Sequence, residues 1–107
     1  MSRFARRVDD NHKDIVDALR KIGAKVKSTA AVGNGFPDLV VGYRGDLYLL
    51  EIKDGSKSPS KRVLTKDEEI FMLEWSGISH IGVVSSIEEA ISFLQKNEIT
   101  SSSLILV

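Results

Sequence analysis

Three charged residues stand in a stretch that otherwise reads as a buried hairpin. The run from Gly35 to Lys53, GFPDLVVGYRGDLYLLEIK, is two apolar strands around a turn, with Asp38 entering the first and Glu51 and Lys53 leaving the second. A turn centred on Arg44-Gly45 pairs Tyr43 with Asp46, Val41 with Tyr48 and, at the far end, Asp38 with Glu51. Opposed residues of an antiparallel pair project to one face with Cβ atoms ~4.5–5.5 Å apart. Lys53, two residues past Glu51, emerges on that face too. Facing carboxylates repel, so stability alone gives no reason for them. A divalent cation between them removes the repulsion, and Mg²⁺ typically takes one or two carboxylates, waters and a phosphate oxygen. The competing reading makes Asp38 a strand-end cap and Glu51–Lys53 a surface ion pair. Apolar residues on both faces weigh against it: Val40, Leu47 and Leu49 on one, Leu39, Val41, Leu50 and Ile52 on the other. A sheet buried on both sides has little room for idle charge.

The elements that must position these residues can be read along the chain. Asn11 is a good N-cap with Asp14 at the capping-box position, and Ile15, Val16, Leu19 and Ile22 form one helical stripe ending at Gly23. Ala24–Ser28 reads as a first strand, and Gly33-Asn34-Gly35 as a loop. Leu39–Gly42 and Leu47–Lys53 are the next strands. Gly55–Arg62, GSKSPSKR, is polar, flexible and basic. Thr65 and Glu68 make a second capping box, for a helix through Phe71, Leu73 and Trp75 that ends near Gly77. Ile78–Val84 is a fourth strand. Ser86 and Glu89 make a third capping box, opening a last helix whose buried face is Ile87, Ala90, Ile91 and Leu94. The order α-β-β-β-α-β-α predicts one α/β domain spanning 1–107.

Length and composition agree. A chain of 107 residues is about one domain and buries roughly two-thirds of its unfolded surface. Hydrophobic residues make up 42% and charged ones 28%, the balance of a globular domain. No apolar run approaches the ~20 residues that cross a bilayer, so no membrane partner is expected. The start, MSRFARRVDD, is basic without an apolar segment and is not read as a secretory signal. The absence of cysteine removes disulfides and thiolate metal sites, which fits a cytoplasmic setting.

The formal charge is zero, but it is unevenly placed. Arg3, Arg6 and Arg7 crowd a basic N-terminal arm (1–8) that holds no acid before Asp9. Between residues 53 and 66, Lys53, Lys57, Lys61, Arg62 and Lys66 face Asp54 alone. Two basic clusters on a neutral chain allow a phosphate-binding face. At the other end SSSLILV places Leu104, Ile105, Leu106 and Val107 after a serine-rich break, as an apolar tail (101–107) that must pack on the domain or on a partner.

Pro37-Asp38 followed by Glu51-Ile52-Lys53 resembles the PD-(D/E)XK nuclease signature. The wider pattern is similar to the VRR-NUC branch, the virus-type replication-repair nucleases, and to archaeal Holliday-junction resolvases. It matches in the opening helix to Gly23, GFPDLVVGYRG, LLEIKDG, the Leu64-Thr65 helix start and Trp75-x-Gly77, about residues 9–95. The resemblance implies a restriction-endonuclease-like αβββαβ core, a mixed sheet flanked by helices. It implies that Asp38, Glu51 and the Ile52 carbonyl hold Mg²⁺ or Mn²⁺, and that Lys53 orients the attacking water and steadies charge on the phosphate. Arg3, Arg6, Arg7, Lys57, Lys61 and Arg62 then supply DNA contacts.

In activity, the resemblance implies an endodeoxyribonuclease acting on branched DNA, a Holliday-junction resolvase, in a bacterial, archaeal or phage-infected cell. Resolving a junction needs two symmetric nicks, so a homodimer is expected. Alternatives are a flap-type repair nuclease of the same fold, or a degenerate domain that binds nucleic acid without cutting. The last is prompted by a departure: many relatives carry a first-helix Glu where this chain has His12. On a helical wheel His12 falls with the apolar stripe, as a metal ligand or a water-holding group, while Asp14 faces water. Asp9 could serve as an acid, His80 reads as structural, and Glu68, where some relatives have a glutamine, is explained by capping.

Overall fold

The computed structural model describes residues 11–106 apart from Ser79, and side chains from 11 to 96. Its elements are α1 (His12–Lys21), β1 (Lys25–Ser28), β2 (Leu39–Tyr43), β3 (Asp46–Ile52), α2 (Lys66–Trp75), β4 (His80–Val84) and α3 (Ile87–Leu106), with a short 3-10 turn at Pro59–Lys61. The chain is an α/β protein with a four-stranded mixed sheet flanked by helices. Strand order is β1-β2-β3-β4, antiparallel across the first two pairings and parallel between β3 and β4. Among the described residues, no helix is long and apolar enough to cross a membrane.

The hairpin register is the one the turn predicts. Leu39 pairs with Leu50, Val41 with Tyr48 and Tyr43 with Asp46. Arg44 at φ 49° and Gly45 at φ 87° form the two-residue turn. Positive φ at both central positions matches the right-handed twist of the strands it joins.

One sheet face carries the core. Leu39, Val41, Tyr43, Tyr48, Leu50, Ile52 and Val84 pack against Ile15, Val16 and Leu19 of α1 and Ala90 and Leu94 of α3. Each fully buried aliphatic side chain there contributes roughly 1.5–3 kcal/mol. Buried Tyr48 satisfies its hydroxyl by donating to the Leu94 carbonyl at 3.3 Å. The opposite face is less covered. Lys25 and Lys27 are exposed, as are Leu47 and Val83, and the first turn of α2 brings Glu68 to the end where Glu51 lies.

The helix ends follow sequence with three differences. Gly23, at φ 98°, terminates α1. Its N–H donates to Arg20 O and that of Ala24 to Leu19 O, the paired bonds of a Schellman stop. At the start of α1, Asn11 holds the N-cap position but makes no side-chain cap bond. Its amide instead donates to the carbonyls of Lys53 at 3.2 Å and Ser85 at 3.0 Å. Two partly buried strand-end carbonyls need a donor, and Asn11 is within reach of both. The Ser86 box is shifted by one residue: Glu89 N donates to Ser86 Oγ, but Glu89 accepts from Ser85 N. Lastly, α3 continues to Leu106, so the serines do not break the chain away from the helix as expected. Three serines cost a helix little, a few tenths of a kcal/mol each at about the middle of the propensity scale.

Candidate active site

The three charged residues of the hairpin do converge. Asp38 precedes β2 and Lys53 follows β3, and the two carboxylates are buried, Asp38 to 7% and Glu51 to 2% exposure. Asp38 Oδ2 accepts the Ile52 N–H at 2.9 Å. That bond extends the ladder past Leu39–Leu50 and fixes the Asp38 carboxylate beside Glu51. Before it, Pro37 is fully buried, and its carbonyl accepts from the Thr29 hydroxyl at 2.7 Å. The Asp38 carbonyl takes the Thr29 N–H at 2.7 Å. Position 38 is therefore held by Thr29, just past β1, as well as by β3.

Glu51 is the strained member. Lys53 Nζ approaches its Oε2 only to 3.6 Å, and its Oε1 is buried without a hydrogen-bond partner. Burial first, then the charge of Asp38 and the proximity of Glu68, push the Glu51 carboxyl up to about 9. In the metal-free protein the Glu51 carboxyl is thus protonated at neutral pH.

Lys53 turns toward Glu68, at 2.8 Å. Glu68 is 5% exposed and is the buried side chain of α2. Its Oε1 also accepts the Thr65 N–H at 2.8 Å, while its own N–H donates to the Thr65 hydroxyl at 3.2 Å. The capping box read from sequence is real, but its carboxylate does a second job at the site. Burial would raise the Glu68 carboxyl; the hydrogen bonds from Lys53 and Thr65 outweigh it and hold the group below its usual range. Sequence reasoning passed over Glu68 because capping already accounted for it. No local signal separates the two roles, because the lysine contact forms only once α2 packs beside the end of β3.

The loop 33–38 seals the arrangement. Gly33, Asn34 and Gly35 all have positive φ. A Cβ on Gly35 would stand 2.3 Å from Asp67 O and 2.9 Å from Glu68 N, so only glycine lets the loop meet the first turn of α2. Phe36 then packs edge-on against Phe71 at 5.2 Å, and Phe71 stacks on Trp75 at 5.1 Å.

The remaining candidates are placed less centrally. His12 is half-buried, with Nε2 at 3.3 Å from Ser28 Oγ and Nδ1 buried without a partner. Ser28 is paired with Leu39, the neighbour of Asp38, so His12 stands close in register but on the core-facing side. Asp14 is exposed, as the wheel predicts. Among the described residues no three His, Asp or Glu side chains are gathered into a ready cation cluster. Ile52, whose carbonyl completes the expected ligand set, is buried at the end of β3.

Of the basic residues, Lys57 and Lys61 are exposed on the connection from β3 to α2, and Arg62 is half-buried. Asp54 turns that connection, accepting from Ser56 N at 2.9 Å and Ser56 Oγ at 2.7 Å, bonds that lower its carboxyl's pKa. Arg3, Arg6, Arg7 and Asp9 lie outside the described residues. His80 stacks on Tyr48 at 4.9 Å, an aromatic packing role. No family model, no curated protein and no solved structure matches this chain.

Proposed function

We propose that the chain is a metal-dependent endodeoxyribonuclease of restriction-endonuclease-like fold that hydrolyses phosphodiester bonds in branched DNA, with four-way junctions as its substrate. The observation that carries this reading is Glu51. A carboxyl buried beside a second carboxylate, with an oxygen lacking any donor, is costly for a protein to keep. A hard cation would satisfy that oxygen and offset both charges, and the donor set of carboxylate and carbonyl oxygens suits Mg²⁺ or Mn²⁺. Asp38, Glu51 and the Ile52 carbonyl would hold the ion, with His12 as an outer group.

Such an ion polarises a phosphoryl oxygen and lowers the pKa of water. The protein's own residues do the rest. Asp38, tied to Ile52 N–H, presents an oriented carboxylate. Lys53 offers a positive charge to the scissile phosphate, where an ammonium in a half-buried site is worth more than in bulk water. Lys57, Lys61 and Arg62, with Arg3, Arg6 and Arg7, neutralise flanking phosphates. A twofold homodimer supplies two sites for symmetric nicks.

Labelled duplex, flap and four-way junction substrates, incubated with and without Mg²⁺, test the reading. Metal-dependent junction cleavage supports it. Preferred cutting of flaps moves the function to a repair nuclease, and junction binding without cleavage by a protein that binds Mg²⁺ leaves a degenerate DNA-binding domain.

A further inference from the structure

We propose that Glu68 is a positioning residue that sets where the Lys53 ammonium stands, so that the first turn of α2 is part of the catalytic apparatus. This rests on the nuclease reading above. Two carboxylates compete for Lys53, and the geometry is unequal: 2.8 Å to Glu68 against 3.6 Å to Glu51. Glu51 lies two residues before Lys53 on the same run of chain and would move with it. Glu68 comes from another element and fixes the lysine from outside.

The anchor is itself anchored. Glu68 Oε1 accepts from the Thr65 backbone at 2.8 Å, so its side chain has one place to be. The turn that carries it is in turn pressed against Gly35, where a side chain would meet Asp67 O at 2.3 Å. Gly35 lies two residues before Pro37 and three before Asp38. The loop bearing Asp38 and the helix holding Lys53 are thereby set against one another, and both halves of the site are referred to a single contact.

A purely structural role for Glu68 is the competing explanation, since a capping box alone would bury it. The two differ in what each partner's loss does. Thr65→Ala removes the cap hydroxyl but leaves Thr65's backbone N–H and Lys53 to hold Glu68. Glu68→Ala removes cap and lysine contact together. Glu68→Gln keeps the box, because glutamine serves at that position, and keeps an oxygen that accepts from Lys53.

The expected result is that Glu68→Ala lowers kcat by about tenfold or more with KM little changed, while Glu68→Gln stays within about threefold of wild type. Thr65→Ala lowers Tm without lowering kcat. A second readout needs no catalysis: with lysine labelled in ¹⁵N, the Lys53 ammonium of the metal-free protein, assigned by its loss in Lys53→Arg, gives a slowly exchanging signal. That signal persists in Glu68→Gln and Thr65→Ala and disappears in Glu68→Ala. Equal loss of kcat in Thr65→Ala and Glu68→Ala overturns the proposal, as does absence of the signal from wild type or its survival in Glu68→Ala. If no form cuts any substrate, the nuclease reading fails while the spectrum still decides the positioning.

Discussion

Lys53 lies nearer to Glu68, on the neighbouring helix, than to Glu51, two residues before it in the chain: 2.8 Å against 3.6 Å. The consequence falls on Glu51. Buried beside the charge of Asp38, and only partly offset by Lys53, it keeps its proton up to about pH 9. A folded-state pKa raised above the ordinary 4.5 means the native protein binds a proton the unfolded chain has released. Stability from this group is therefore full below about pH 4.5 and is lost as pH rises toward 9. Between those values the slope reaches at most about 1.4 kcal/mol per pH unit. Glu51→Gln should remove it, leaving a metal-free variant more stable than wild type at neutral pH by a margin that widens on the alkaline side. Urea midpoints of both proteins from pH 5 to pH 9 check this; parallel profiles would show that Glu51 ionises freely.

Much of this arrangement is legible in the sequence, because the hairpin obeys local rules. Arg44-Gly45 between alternating apolar residues fixes the register, and the register brings Asp38 to Glu51. The capping boxes likewise depend on residues three apart. What sequence does not carry is competition between distant partners. Asn11 has the residue type of a cap, yet it serves two carbonyls that come together only in the folded sheet. Glu68 satisfies a local rule and a tertiary one at once, and the local rule hides the other. The wheel turns His12 inward correctly, but cannot say that Ser28 is what it meets. The serines before the apolar end read as a break because their propensity is middling, and α3 passes through them.

Cation binding should release protons. At neutral pH a metal entering beside Asp38 must displace the proton from Glu51, so affinity should rise with pH until about 9. Titration calorimetry with Mg²⁺ or Mn²⁺ in buffers of different ionisation heat should give close to one proton released per ion at pH 7. Ca²⁺ should bind with the same release and support cleavage poorly. Binding with no proton exchanged would place the ion elsewhere.

Asn11 separates capping from bridging. Asn11→Ala leaves the Lys53 and Ser85 carbonyls without their donor and should cost about 1–3 kcal/mol. Asn11→Ser retains a good cap residue but cannot reach both carbonyls. It should be nearly as destabilised as the alanine variant; full recovery of Tm by serine would show that the helix cap is what matters.

Gly35→Ala tests the contact between the Asp38 loop and α2. The new Cβ meets backbone at 2.3 Å, and the residue must hold φ 83°. A left-handed conformation plus overpacking should cost about 2–4 kcal/mol. Cleavage should fall further than the folded fraction does, since α2 must move and takes Glu68 with it. Activity that tracks the folded fraction alone would uncouple the loop from the site.

Asp38 and Glu51 look equivalent in sequence, but their removal should move stability in opposite directions. Glu51 has an oxygen without a donor, so losing its carboxylate relieves a cost. Asp38 accepts the buried Ile52 N–H at 2.9 Å, so Asp38→Ala strands a donor inside the sheet and should destabilise by about 1–3 kcal/mol. Asp38→Asn keeps an acceptor oxygen at that position and should melt close to wild type. For cleavage the two variants should agree: neither supplies the second carboxylate, and both should be inactive with Mg²⁺. Chemical denaturation paired with a cleavage assay reads both. An asparagine variant that folds normally yet cuts at the wild-type rate would remove Asp38 from the metal site and leave it as a clamp on β3.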